Sequence, residues 1–214
     1  MTPETHRPLR ADAERNRQLV LATAGLLLAE RGATVTLNEI AREAGLGVGT
    51  VYRRFPDLQT VIDALYTERF TAFLRLAADA ERQDGAGPAL RHYLLAAATR
   101  RAEDPALEVI IGQASRDRHE IAEMRDELGR RMDGLVERAV AAGAVRADFT
   151  SSDAYNVLYM LGTVADRTEK LAPGNWRRYA EVLLAGFGLE GDPVERIGAM
   201  TDEQMRRAVW PEHP

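Results

Sequence analysis

The sequence predicts an all-α protein. Apolar residues recur at three- and four-residue spacing along nearly the whole chain, no stretch alternates with period two between turn signals, and glycine, proline and cap residues cut the pattern into helix-length pieces. A first helix is expected over 13–31, with Leu19, Thr23, Leu26 and Leu27 on one stripe and Gly32 as its stop. Thr36-Leu37-Asn38-Glu39 has capping-box spacing: the Thr36 hydroxyl accepts from the Glu39 amide while the Glu39 carboxylate reaches back to the Thr36 amide. A short helix therefore starts at Leu37 and runs to Ala44, where Gly45-Leu46-Gly47 breaks it; a second short helix over 48–55 ends before Pro56. Asp57 caps a long helix to about Gln83, with Leu58, Val61, Ile62, Leu65, Tyr66, Phe70 and Phe73 on a wide apolar face, and Asp84-Gly85-Ala86-Gly87-Pro88 ends it. Further helices are expected at 89–102, 106–117, 119–142, 152–171 and 175–187, and the polar tail after Gly188 is expected to be loosely attached, with one short helix at 201–209.

The 214 residues are 45% hydrophobic, enough for a real core, and contain no cysteine, which excludes a disulfide framework, a thiolate metal site and cysteine-nucleophile chemistry. A polar, basic stretch follows Met1, and no apolar run approaches the ~20 residues of a membrane span. The expectation is a soluble, unexported, cytoplasmic protein. The net charge of −5 conceals an asymmetry: residues 1–56 hold eight arginines against six acidic residues, whereas 57–214 hold 20 basic against 27 acidic ones. Only the first quarter is suited to phosphate.

The strongest signal is TLNEIAREAGLGVGTVYRRFP, residues 36–56. In a helix-turn-helix, Ala41 must be small where the second helix crosses, and Gly45 turns the chain four residues later without a Cβ penalty. In the second helix Val48, Val51, Tyr52 and Phe55 fall in one arc of roughly 100°, leaving Gly49, Thr50, Arg53 and Arg54 on the other side. That outer face suits a DNA groove: Gly49 allows close approach, Thr50 bonds a phosphate, and an arginine takes guanine O6 and N7 bidentately. Tyr52, at the edge of the arc, packs its ring inward and points its hydroxyl at the DNA backbone. The helix start at Gly47-Val48 adds partial positive charge, and Thr36 opens a second helix start toward phosphate. The competing reading is a purely structural helical hairpin with a solvated basic face.

From Arg15 to Tyr66, and above all in IAREAGLGVGTVYRRFPDLQTVIDALY, the sequence resembles the N-terminal domain of TetR-family regulators. The resemblance implies a three-helix DNA-binding domain over 1–56, a helical bundle over 57–190 that binds an effector and dimerises, and a tail over 191–214. It implies that Thr36, Val48, Gly49, Thr50, Tyr52, Arg53 and Arg54 face a double-stranded operator, and that the protein represses transcription until a small molecule releases it. Two positions depart from the family: Leu58 stands where many relatives have a basic residue, and Gly47 where many have serine. Arg10, Arg15 or Arg17 can replace the missing phosphate contact.

A homodimer with two recognition helices about one DNA turn apart, ~34–36 Å, implies a palindromic operator. Tyr155, Leu158, Leu161, Gly162, Trp176, Tyr179 and Leu183 suit a close-packed seam between two protomers, with an intramolecular core as the alternative. Ala142 to Asp148 and the residues after it read as a turn and a helix cap, the cap being Asp148 or Ser152. Candidates for the effector pocket are Tyr66, Phe70, Tyr93, Met124 and Met160 as lining, with Arg116, Asn156, His92 or Asp166 orienting the ligand. The effector's chemistry is not legible.

Two rival functions remain. A helical-bundle enzyme would need Glu-x-x-His pairs, which these helices lack, and of the four histidines, 6, 92, 119 and 213, two lie in terminal tails. Gly45-x-Gly47-x-Gly49 follows a helix rather than a strand and lacks a Gly-Lys-Ser/Thr ending, so it is no phosphate loop. No catalytic residue, metal or cofactor is expected. The other rival is a helical adaptor that turns the same hairpin to a protein partner, favoured by the acidic net charge and Leu58.

Overall fold

The computed structural model describes residues 6–191 and 197–209, with side chains from residue 11 onward. The described residues form ten α-helices and no strand: α1 (His6–Arg31), α2 (Leu37–Glu43), α3 (Val48–Arg54), α4 (Leu58–Glu81), α5 (Ala86–Glu103), α6 (Leu107–Gln113), α7 (His119–Ala141), α8 (Ser151–Thr168), α9 (Trp176–Gly186) and α10 (Asp202–Val209). A 3-10 turn at Gly32–Thr34 links α1 to α2. The chain falls into two compact units. The first runs through Thr71 and adds Ala106–Arg125; the second holds Ala72–Pro105 and the chain from Asp126 onward. Helices α4 and α7 thus each lend residues to both.

In the first unit α1 packs on α2, on the 3-10 turn and on α6, and α2 packs on α3. The stripe expected on α1 is rotated: Val20, Leu21, Ala24, Leu27 and Leu28 are buried, whereas Leu19 and Leu26 face solvent. Residues 19–29 are apolar around most of the helix, so period alone admits either face. The side opened by Gly25 turns inward, where a Cβ would come within 3.3 Å of Arg69 Nη2 on α4. Asp57 caps α4 as its position suggests, its Oδ1 accepting from the Thr60 amide and hydroxyl, both at 2.7 Å.

Helix α6 stops at Gln113, four residues short of expectation, because side chains of α4 capture its exit. Gln59 Nε2 donates to the Gln113 carbonyl at 2.8 Å, and the buried Asp63 carboxylate accepts from the Ser115 amide and hydroxyl at 2.9 and 2.8 Å. Burial alone would push the Asp63 carboxyl up, but the hydrogen bonds from Ser115, Gln59 and Arg118 outweigh it and hold it below its ordinary value.

In the second unit α8 packs on α5, α9 and α10. Ala98, Val157, Leu161, Ala165, Trp176 and Ala180 form its buried cluster, flanked by half-buried Leu95, Leu158, Tyr179, Leu183 and Phe187. Gly162 permits the close crossing of α5. A Cβ there would meet Arg101 Cγ and Nε at 2.8 Å, and the buried Arg101 passes over that gap to pair with Asp166 through two bonds of 2.6 and 3.1 Å. Helix α5 begins three residues earlier than expected, because Pro88 sits in the first turn, where no amide partner is required. Thr150 and Asp153 make the capping box of α8, displacing Asp148 and Ser152 from the expected role; Asp148 instead pairs with Arg146. The tail is attached rather than loose: Gln204 Nε2 donates to the Leu171 carbonyl at 2.8 Å, Arg178 Nη1 to the Ile197 carbonyl at 3.2 Å, and Ala208 is buried.

Candidate DNA-binding surface

The α2–α3 hairpin is set by short-range chemistry. Glu39 N donates to Thr36 Oγ1 at 3.3 Å and Thr36 N to Glu39 Oε2 at 2.8 Å, closing the capping box. The hydrogen bond from the Thr36 side chain, then that from its backbone, hold the Glu39 carboxyl below its usual range, with Arg31 and Arg42 adding to it. Ala41 is fully buried, and Gly45 adopts φ +65°, a conformation that L side chains rarely take. The Leu46 amide folds back onto the Ala41 carbonyl at 2.9 Å, and α3 starts at the Gly47 carbonyl, which accepts from Thr50 N at 2.8 Å.

Only Val51 and Phe55 anchor α3 inward. Val48 and Tyr52, expected in the same inward arc, are 46% and 45% exposed, because a two-turn helix crossing its neighbour keeps one i, i+4 pair buried and lets the flanking positions turn out. The exposed surface of α3 therefore brings together Val48, Gly49, Tyr52, Arg53 and Arg54, with Gly47 at its start and Thr50 half-buried at its edge. Arg53 Nη2 donates to Thr50 Oγ1 at 3.3 Å. Among the described residues neither Arg53 nor Arg54 has a carboxylate within ion-pair distance, whereas Arg15, Arg31 and Arg42 are paired with Asp12, Glu39 and Glu43. A groove of about 330 Å³ separates α1 from α3, lined among others by Asn16, Arg17, Thr50, Arg53 and Arg54.

Two expected contributors are placed differently. Thr36 is exposed, but its amide and hydroxyl both donate to Glu39 Oε2 at 2.8 Å, so the donors expected to meet phosphate are already used. Arg15 is exposed and tied to Asp12 at 2.8 Å, while Arg17 faces the groove and lies 3.6 Å from Glu14. The Arg10 side chain, the His6 side chain and His213 lie outside the described residues. Asn16 was not singled out in the sequence, although it shares the i, i+3, i+4 face of α1 with Ala13 and Arg17. Leu58 is half-buried at the start of α4.

Residues 20–65 match the model of the bacterial regulatory proteins of the tetR family, and residues 85–189 match that of the C-terminal domain of SbtR-like transcriptional regulators. The chain belongs to the TetR family. A TetR regulator from Mycobacterium vanbaalenii is 28% identical, with a TM-score of 0.54 over 84% of this chain and 99% of that one. A tetR-family protein from Rhodococcus, 20% identical, shares the fold with a TM-score of 0.67 over 83% and 98% of the two chains. An HTH-type transcriptional regulator of Staphylococcus aureus is 44% identical over 50 residues, 23% of this chain and 27% of its own length. The match thus spans about a quarter of that curated relative. This TetR-family chain is a DNA-binding transcriptional regulator with a helix-turn-helix.

Leu161 and Trp176 are each 2% exposed and Gly162 is buried beneath Arg101, so all three lie in the core of the second unit, the alternative left open for them in the sequence. Tyr155 is exposed, and Leu158, Tyr179 and Leu183 are half-buried; the more open apolar positions are Tyr159 and Val182, at 63% and 64%. The effector candidates are divided between the two units. Tyr66 and Phe70 are buried and stacked at 3.8 Å in the first unit, and Tyr93 is buried in the second, its phenol pushed up by burial and by Tyr155. Met124 is half-buried, while His92, Arg116, Asn156, Met160 and Asp166 lie at the surface, Asp166 bound to Arg101. Helix α8 turns Val157, Leu161 and Ala165 inward at four-residue spacing, which puts 156 and 160 one step out of phase. A second groove, lined by Glu81, Glu127, Arg130, Arg131, Gly134 and Arg138, contains none of the effector candidates. Among the described residues no three histidine or acidic side chains gather as a metal site, and no helix is long and apolar enough to cross a membrane.

Proposed function

We propose that this regulator is a cytoplasmic repressor that acts as a homodimer, reads a palindromic operator with α3 and leaves it when a small molecule binds the C-terminal bundle. The observation that carries the reading is the outward face of α3: two arginines with no carboxylate partner among the described residues stand beside Gly49 and Tyr52 on a helix anchored by Val51 and Phe55. Guanidinium groups left unpaired at a helix surface are the donors that guanine edges and phosphates accept. Arg17 and Asn16 line the same groove as Arg53 and Arg54, which supports a flanking phosphate contact from α1. The exposed apolar positions Tyr155 and Tyr159 on α8 and Val182 on α9 support a dimer through those two helices.

The binding reading is tested by fluorescence anisotropy with the DNA upstream of the protein's own reading frame and a scrambled duplex, each at about 50 and 200 mM salt. A dimer making six to ten phosphate contacts should lose on the order of 10³ to 10⁵ in affinity across that range and prefer the native fragment. A complex indifferent to salt, or no complex with either duplex, would turn the reading toward a protein-binding adaptor.

A further inference from the structure

Asp63 is a buried carboxylate of the first unit that accepts four hydrogen bonds, three of them from outside α4. Its side chain is 4% exposed. It accepts from Gln59 Nε2 at 2.9 Å, Ser115 N at 2.9 Å, Ser115 Oγ at 2.8 Å and Arg118 Nη1 at 3.0 Å. Gln59, one turn earlier, uses the same amide nitrogen to hold the Gln113 carbonyl at 2.8 Å. Two side chains on successive turns of α4 thus grip residues 113, 115 and 118, the segment between α6 and α7, at a sequence separation of more than 50 residues. On its other side α6 packs against α1 and the 3-10 turn. Only residues 55–57 separate α3 from α4, so the clasp fixes the element that carries α3 against the rest of its own compact unit.

A buried carboxylate that accepts four hydrogen bonds is favourable while all its donors are in place and costly once they withdraw, because an unpaired charge is then left away from water. Such a contact has two states, made or broken, rather than a continuum. We infer that the Asp63 carboxylate is a positioning residue for operator recognition, a clasp whose closed state holds the 113–118 segment on α4 and so keeps α3 in its DNA-reading placement. The inference rests on the operator reading proposed above. Opening the clasp lowers operator affinity, and by linkage operator DNA closes the clasp by the same factor. Arg118, whose side chain is half exposed, closes the clasp at its open end, immediately before α7.

The test uses the intact protein and a duplex to which the wild type binds. Amide exchange at Ser115, whose N–H is donated directly to Asp63, is followed with and without the duplex, with Ala165 and Ala180 of the second unit as references. Operator should slow exchange at Ser115 by about five- to tenfold without a matching change at the references. Asp63→Asn should abolish that slowing and weaken operator binding about five- to tenfold with helix content unchanged. Ser115→Ala, which leaves the backbone bond in place, should show a smaller loss of the same kind and keeps the test decisive if Asp63→Asn fails to fold. Operator binding by the wild type without slowing at Ser115, or a folded Asp63→Asn protein with wild-type affinity, would overturn the clasp alone. A wild type that binds no duplex would overturn both the clasp and the reading beneath it.

Discussion

Replacing Arg53 with alanine should cost about 1–3 kcal/mol of operator binding and relax the choice of base at one position of each half-site. Arg53 donates to Thr50 Oγ1 at 3.3 Å and is exposed on the open face of α3, so its removal opens no hole in the core. Melting temperature and dimer mass should stay within error of the wild type. Tyr52→Phe isolates the hydroxyl and should weaken binding to all sequences alike, because a phosphate contact carries no base information. Competitive binding with single-base operator variants separates the two behaviours. Equal affinity of both mutants and wild type would move the reading surface off α3.

Trp176→Ala should be the most damaging substitution for the fold, at about 3–5 kcal/mol. The indole is 2% exposed among Val157, Leu161, Ala165 and Ala180, with the Arg177 guanidinium 4.6 Å above its ring. At ~2–4 °C per kcal/mol for a chain of this size, the thermal midpoint should fall by roughly 6–20 °C. The drop should be the same at every protein concentration, because the ring packs inside one protomer. A loss that appears only on dilution would instead place Trp176 in a seam between protomers.

The helix-turn-helix was legible because its signals act over a few residues: a capping box at Thr36 and Glu39, a positive φ that only Gly45 takes readily, and a stop before Pro56. What the sequence could not settle was rotation. Residues 19–29 of α1 are apolar almost all round, so the buried stripe fell one residue away from the expected one, and on α3 the inward arc shrank to Val51 and Phe55. The same ambiguity on α8 put Leu161 and Gly162 in the core and left Tyr159 outside. The grip of Asp63 on Ser115 carries no local signal, since its partners lie 52 residues apart and meet only after α6 has packed. The effector residues carry no sharper signal, because aromatic and methionine side chains at helical spacing fit a core as well as a pocket; Tyr66 and Phe70 pack on each other.

The central claim, that a dimer of this chain reads a symmetric operator through α3, is tested most directly by selecting bound duplexes from a fully randomised pool with the purified protein. The account predicts enrichment of one two-fold symmetric motif whose half-sites repeat about one helical turn apart, ~34–36 Å, and its loss from the same selection with Arg53→Ala. Recovery of duplexes sharing no motif, or of an asymmetric motif indifferent to Arg53, would contradict it.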